Sequence, residues 1–343
     1  MKDHLAVVLP ALSPTLAGTS ARAALSDSAS RLPPCPAGGF EISLRPCSDR
    51  VDFHLLADRW TSLARLLGSP HAGWAGVARV ADAWTAEDSP LASSVMALIL
   101  EFDLDRVAPE TLAPCVFCAL EPAAGEQPDT VRSVTAHLLG EASLAGVAPA
   151  LDACLAALPS GAGVNHVGAM WSRPEPSVRI NIGGLAPNRI APLAARLGWP
   201  GDPVALAHIV HGLGAVVDSI ELAWDLGSEV PSRIGLECFL SDTGDPATPR
   251  WPIVLEHMSG LAPCDPAKVR ALLDWPGLTL ASAGQAWPAA LRLTDAFLAG
   301  LATSAFVRRI NHVKAVVEGD HVAEVKAYPI FGHRWLPRVA PAG

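Results

Sequence analysis

Pairs of short segments in which apolar and polar residues alternate recur five times along the chain. Alternation with a period of two predicts β-strands, and the turn signals inside each pair predict antiparallel hairpins. Alanine- and leucine-rich stretches with helical spacing lie between the pairs. The predicted hairpins are residues 40–45 with 51–56, 95–105 with 115–121, 167–171 with 178–182, 219–226 with 233–240, and 312–317 with 322–328.

The stretches between the hairpins carry the start and stop signals of helices. Gly68, Gly140 and Gly198 each follow an apolar last turn, where glycine takes the left-handed conformation of a C-cap. Asp202 followed by Pro203 is typical of an N-cap and first helical position. Helices are therefore predicted at residues 59–67, 131–139, 190–197, 204–217, 267–273 and 289–306, with a further helix within residues 4–30.

Ten consecutive antiparallel strands leave exposed edges, which closure into a barrel removes. Helices outside such a barrel require an apolar outer face, and the polar set then lines the interior, or lumen. An open sheet or sandwich shows the same period of two, but the predicted helices suffice to cover only one face of ten strands. The sequence therefore predicts an α+β fold: a ten-stranded antiparallel β-barrel of five ββ hairpins with helices outside, in one domain over residues 1–343 with a tail at 334–343.

Charge and cysteine content narrow the possible functions. The chain has 25 Lys and Arg against 34 Asp and Glu, a net charge of −9, which disfavours nucleic acid as a partner. Seven cysteines, an odd number scattered through apolar segments, predict reduced thiols and a cytoplasmic protein. No uncharged run approaches the roughly 20 residues of a membrane span.

The alternation assigns both cations and acids to the lumen. Converging cations bind an anionic group, whereas acids pair with those cations, hold Mg²⁺ or a cationic group, or act as a general base. We use parity for the set of alternate strand positions that face the lumen. The cations on lumen parity are Arg45, Arg179, Arg233, Lys314 and Lys326. The acids on the same parity are Glu41, Asp52, Glu101, Asp103, Glu221, Asp225, Glu237 and Glu324.

This pattern resembles the ABBA prenyltransferases, or PT-barrel family, which includes bacterial aromatic prenyltransferases and cyanobactin-type enzymes that prenylate peptides. Residues 50–54, Arg-Val-Asp-Phe-His, look like the acidic strand of that family, and residues 177–182 are similar to its sixth strand. Arg233 matches an arginine expected on the eighth strand, and residues 324–328 are similar to the last strand with its lysine and tyrosine. The fourth strand lacks the usual lysine, and the chain has one tyrosine where the family has several.

The resemblance implies transfer of an isoprenoid group from a prenyl diphosphate to a small aromatic or peptidic acceptor, with Mg²⁺ as a possible cofactor and no organic cofactor. Asp52 and His54 are the expected catalytic residues, with Asp52 as the possible Mg²⁺ ligand. The expected diphosphate ligands are Arg45, Arg179, Asn181, Arg233, Lys314 and Lys326. The expected aromatic shield is Tyr328, Phe117 and Trp171, and the expected acceptor-binding acids are Glu101, Asp103, Glu221, Asp225 and Glu237.

Two other functions fit the same residues. One is a noncatalytic barrel that binds a peptide or small molecule, and the other is a barrel enzyme that uses lumen carboxylates and a metal for different chemistry. The missing lysine and tyrosines favour these two functions, whereas the five cations and Asp52 favour the prenyltransferase.

Overall fold

A computed structural model describes residues 1–61, 63, 72–104, 112–172, 177–227, 229–241, 248–281, 287–298 and 301–337. Ten antiparallel strands form a closed barrel, and an eleventh, β9, pairs with β10 alone. The strands are β1 (Ala37–Ser43), β2 (Val51–Ala57), β3 (Val95–Phe102), β4 (Cys115–Leu120), β5 (Gly163–Ala169), β6 (Val178–Gly183), β7 (Ser219–Leu226), β8 (Arg233–Phe239), β9 (Gly277–Leu280), β10 (Ala302–Glu318) and β11 (His321–Pro337).

The barrel closes where the last strand meets the first. β11 pairs with β10 on one side and with β1 on the other, with Ile42 opposite Ala327, while β1 to β8 follow one another in chain order. The predicted ten-stranded barrel is therefore confirmed, and the open sheet is excluded. The five predicted hairpins are all present. Their ends are displaced by four residues or fewer, except that β10 begins ten residues earlier and β11 ends nine residues later than predicted.

Twelve α-helices in the described part of the chain pack outside the barrel. They are α1 (Lys2–Val8), α2 (Thr19–Arg31), α3 (Ala72–Thr85), α4 (Pro90–Ser94), α5 (Pro122–Gly125), α6 (Pro128–Leu139), α7 (Glu141–Ala157), α8 (Pro187–Arg196), α9 (Pro203–Gly214), α10 (Trp251–Leu261), α11 (Pro266–Leu273) and α12 (Ala289–Phe297). The helix expected within residues 4–30 is two helices, because a 3₁₀ turn over Leu9–Ala11, containing Pro10, ends the first.

The predicted caps are present where the chain is described. The Asp202 carboxylate accepts a hydrogen bond from the amide of Val204 at 2.8 Å, and Gly140 and Gly198 have φ angles of 78° and 83°. Residues 59–61 of the predicted helix at 59–67 form a turn and a bend. Its remainder, apart from residue 63, lies outside the described residues, as does Gly68.

The predicted helix at 289–306 is wrong beyond Phe297. Residues 302–306 are extended and pair with residues 333–337, so that β10 and β11 are each 17 residues long. The Phe306 ring is fully buried against Trp287 and His4, and this packing favours the strand. The predicted tail at 334–343 is therefore strand up to Pro337, and residues 338–343 lie outside the described residues.

The main core lies between the strands and the helices. Phe40 is fully buried among Phe53, Trp275 and Phe331, with ring centroids 5.8 to 5.9 Å away. Large apolar side chains therefore occupy the outer face, as the alternation predicts, and the polar set is left to the lumen.

All seven cysteines lie in the described part of the chain, and each is a free thiol. Among the described residues, no helix combines the length and apolar character that crossing a membrane requires.

Candidate functional site

The lumen contains a cavity of about 270 Å³ at the end where the two strands of each hairpin turn. We call it the hairpin-end cavity. Five carboxylates and five cations line it, together with a few small or apolar side chains. The carboxylates are Glu41, Glu101, Asp103, Asp225 and Glu324, and the cations are Arg50, Arg179, Arg233, Lys314 and Lys326.

Two of the cations form close ion pairs at the cavity wall. Arg179 donates two hydrogen bonds to Asp225, at 2.6 and 2.8 Å, in the bidentate geometry that guanidinium favours. Lys326 lies 2.5 Å from Oε1 of Glu41, whose other oxygen accepts from the Tyr328 hydroxyl. Burial opposes ionisation of Glu41, but Lys326 and Tyr328 outweigh it and hold the pKa of that carboxyl below its usual range.

A third ion pair lies deeper in the lumen. Nζ of Lys314 is 2.9 Å from Oε1 of Glu237, and the Asn181 amide donates to Oε2 at 2.8 Å. Burial disfavours the Glu237 carboxylate, but Lys314 and the other contacts lower its pKa to about 2. Asn181 therefore contacts a carboxylate, and does not line the cavity where a diphosphate was expected.

Asp52 holds together two chain segments. It accepts hydrogen bonds from Nε of Arg50 at 2.8 Å and from the Leu104 amide at 3.1 Å, while Arg50 also contacts Asp103. Burial and the nearby Glu41 raise the pKa of Asp52 to about 7. Because a guanidinium and an amide already occupy this carboxylate, the surroundings of Asp52 do not fit Mg²⁺.

Glu101 differs from the other acids of the cavity. Its carboxyl group makes no hydrogen bond or ion pair with any side chain in the described part of the chain. Burial and the charge of Glu41 raise its pKa to about 8. A buried carboxyl group that titrates near neutral pH and faces a cavity is suited to take up or release a proton.

A small apolar patch lies within this otherwise polar lumen. Cys115, Phe117 and Met170 are buried together, with Ile99 packed against them, apart from the main core. Met170 also lines the hairpin-end cavity. Glu101 lies opposite Cys115 and Ile99 lies opposite Phe117 in the β3–β4 register, so the patch is next to the unpaired acid.

An aromatic layer crosses the middle of the lumen. Tyr328 stacks on His312 with ring centroids 4.0 Å apart, and Phe239 and His54 continue the row at 4.8 and 6.3 Å. Burial lowers the pKa values of His54 and His312 to about 4, so both rings are neutral near pH 7. His54 lines a different cavity, at the other end of the lumen, and Asp52 is in the lining of neither, so the two expected catalytic residues do not share a cavity.

Buried polar atoms without hydrogen bonds surround Glu221, a second acid with a raised pKa. The Asn165 amide donates to Oε1 of Glu221 at 2.7 Å, while Oε2 of Glu221, Nδ1 of His166 and Oδ1 of Asn181 are buried without hydrogen bonds. Burial and the charge of Glu237 raise the pKa of Glu221 to about 7. Nδ1 of His166 faces Oε2 of Glu221 at 3.8 Å, and it donates or accepts according to the tautomer of the ring.

Three expected site residues lie elsewhere. Arg45 is exposed in the turn after β1, because that strand ends at Ser43. Trp171 lies beyond the end of β5, outside the lumen and beside Gly76 of α3. Arg233 lines only the rim of the cavity, is 60% exposed, and pairs with Glu318 at 2.7 Å.

Sequence reasoning also missed residues that the structure brings to the lumen. Arg50 occupies the place expected for Arg45, and Met170 joins the apolar patch. Both follow from parity, because Arg50 lies two residues before Asp52 and Met170 two residues after Gly168. Arg50 lies one residue before the predicted start of the second strand, whereas Met170 lies inside the predicted strand at 167–171 but carries no charge to mark it as a lumen residue.

In the described residues, no three or more His, Cys, Asp or Glu side chains are grouped so that they could hold a metal ion. Comparison with models of protein families, and with curated proteins, finds no match to this chain.

Proposed function

We propose that the lumen is the active site of a prenyltransferase-like enzyme, which moves an isoprenoid group from its diphosphate to an aromatic or peptidic nucleophile. The observation that carries this proposal is the hairpin-end cavity, where five cations surround a space bordered by the apolar patch. A prenyl diphosphate has the same division into an anionic head and an apolar chain. The free cysteines support a cytoplasmic location for this activity.

The chemistry requires charge stabilisation for the leaving diphosphate and a base for the acceptor's proton, and the residues for both line the hairpin-end cavity. As the bond between the prenyl carbon and the diphosphate oxygen breaks, the diphosphate leaves with the electron pair, and Arg179, Lys314 and Lys326 stabilise its charge. The acceptor then bonds to the prenyl carbon and releases a proton to the Glu101 carboxylate. Phe117 and Met170 of the apolar patch supply the surface against which the apolar part of the prenyl group lies.

The ion pairs keep the cations in position when no anion is bound. A diphosphate must therefore displace carboxylates, and the exposed pair between Arg233 and Glu318 exchanges most easily because water already reaches it.

Isothermal titration with geranyl thiodiphosphate, which resists hydrolysis, tests the anion site. The double variant Arg179→Gln with Asp225→Asn replaces an ion pair by a neutral polar pair and avoids an unpaired buried charge. We expect it to weaken binding by about 1.5 to 3 kcal/mol, the range for a hydrogen bond to a charged group. Arg233→Ala is expected to weaken binding less, because that side chain is exposed.

Arg189→Gln is the matched control, because Arg189 is an exposed arginine on α8, outside the barrel. A diphosphate site in the lumen is excluded if titration of the unmodified protein with the thiodiphosphate gives no saturable heat. It is also excluded if the double variant binds the thiodiphosphate with unchanged affinity. Transfer to tryptophan- and tyrosine-containing peptides, followed by mass spectrometry, tests the activity itself.

A noncatalytic barrel that binds a cationic ligand is the second candidate. The observation in its favour is the pair of buried oxygens without hydrogen bonds on Glu221 and Asn181, together with Glu101 in the cavity lining. Agmatine, which carries a guanidinium and an amine, tests it in the same titration. Binding of agmatine without binding of the thiodiphosphate would favour this candidate over the transferase.

A further inference from the structure

A second cavity, which we call the helix-end cavity, lies at the opposite end of the lumen, where β1 begins and β2 ends. Its volume is about 260 Å³. Leu56, Ile99, Val307 and Ile330 form apolar walls, and Gly38 of β1 contributes no side chain. The cavity is therefore lined mainly by aliphatic surface.

The charges of this cavity have one sign. Arg309 and Arg334 line it together with Asn311 and His54, and no described residue of the lining is acidic. Burial and the neighbouring His312 keep the His54 ring neutral near pH 7. The hairpin-end cavity, in contrast, contains five carboxylates.

The two cavities are separate sites. They share no lining residue, although Ile99 of the helix-end cavity also packs on the apolar patch. The aromatic layer of His54, Tyr328, His312 and Phe239 crosses the lumen between them. A ligand in the helix-end cavity therefore does not depend on the anion site proposed above.

We propose that the helix-end cavity binds an organic carboxylate with a compact apolar body. Its anionic head contacts Arg309 and Arg334, since guanidinium groups match the geometry of a carboxylate. Its apolar body lies against Leu56, Ile99 and Ile330. This is the usual composition of a small-molecule site, an apolar space with a few polar groups that fix orientation.

Titration with octanoate and octylamine, which have the same chain and opposite charge, tests the proposal. We expect octanoate to bind at one site and octylamine not to bind. Arg309→Gln and Arg334→Gln should each weaken octanoate binding about tenfold or more, the scale of a lost charge-assisted contact. Arg189→Gln, on the outer surface, should bind octanoate like the unmodified protein.

A filling variant makes the test independent of the arginines. Val307→Trp places an indole in the cavity opposite Gly332 and should abolish octanoate binding while the protein melts cooperatively. Octanoate affinity that survives this variant, or equal binding of octylamine, would overturn the proposal. Displacement of octanoate by geranyl thiodiphosphate would overturn it too, because both ligands would then occupy one site.

Discussion

The Glu101 carboxyl group keeps its proton to a higher pH in the folded protein than in the unfolded chain. Its pKa rises from 4.5 to about 8 because of burial and Glu41. The stability that it contributes is therefore fully present below about pH 4.5 and is lost as the pH rises through about 8. Glu101→Gln should raise the free energy of unfolding by about 1 to 3 kcal/mol at pH 8.5 and change it little at pH 5.

Urea denaturation at the two pH values measures this difference, with the exposed Glu256→Gln on α10 as the control. A loss of stability at pH 8.5 in the Glu101 variant would contradict a buried, unpaired acid. If Glu101 is also the base of the proposed transfer, the more stable variant loses turnover by about 10²-fold or more.

We expect Asp52 to stabilise the fold rather than to transfer a proton. Asp52→Ala leaves the Leu104 amide without its acceptor and removes one of the two carboxylates that Arg50 contacts, and it should lower the free energy of unfolding by about 1 to 3 kcal/mol. Asp52→Asn retains an oxygen for the Leu104 amide and should lose less. Urea denaturation and turnover are measured for both variants. If both keep normal stability and lose turnover by about 10²-fold, Asp52 is instead a catalytic base.

The sequence predicts which residues face the lumen but not which of them form pairs. Parity alone places Glu41, Glu101, Arg179 and Lys326 correctly. The partner of each depends on the register between strands, and Lys326 reaches Glu41 only because β11 closes on β1. The raised pKa of Glu101 follows from the same closure, since Glu41 is one of its causes.

Glycines on one strand make room for a large lumen side chain on the next. A Cβ atom at Gly168 of β5 would lie 2.2 Å from the Phe117 ring of β4, and one at Gly39 of β1 would lie 2.4 Å from His54 of β2. The same relation joins Gly183 to Asn165 and Gly235 to Lys314. At these four positions, an interior glycine faces a large side chain on the adjacent strand.

Gly168→Ala tests this relation within the apolar patch. The added methyl must displace the Phe117 ring and should lower the free energy of unfolding by about 1 to 3 kcal/mol. Phe117→Leu in the same chain should recover part of the loss, and a double-mutant cycle measures the coupling. Gly146→Ala on α7, where a Cβ meets nothing within 4 Å, is the control and should be neutral or stabilising.

Strands were more predictable than helices because the closed barrel enforces strict alternation. α7 was missed, since its surface is almost uniformly small and apolar and it contains Pro149. The chain after α12 was assigned to helix, although residues 302–306 complete the pairing of β11. Local spacing does not reveal that requirement, because the partner residues lie about 30 positions later in the chain.

Closure makes the whole molecule depend on contacts between its two halves. Glu41 and Lys326 are 285 residues apart in sequence, yet they form an ion pair across the β1–β11 seam. The same seam buries Phe40 against Phe331 on the outer face. We therefore expect the barrel to unfold as one cooperative unit, consistent with the single domain predicted from the sequence.

Phe40→Ala tests this cooperativity. The Phe40 side chain is fully buried, and its loss should lower the free energy of unfolding by about 3 to 5 kcal/mol. In strand order β6 lies on the far side of the barrel from β1, so its amides report on a region that the substitution does not touch. If the barrel opens as a unit, hydrogen exchange of the Ile180 and Ile182 amides accelerates by the factor that corresponds to the loss in global free energy of unfolding. Protection of β6 that stays unchanged while β1 and β2 exchange faster would instead divide the barrel into two independently stable parts.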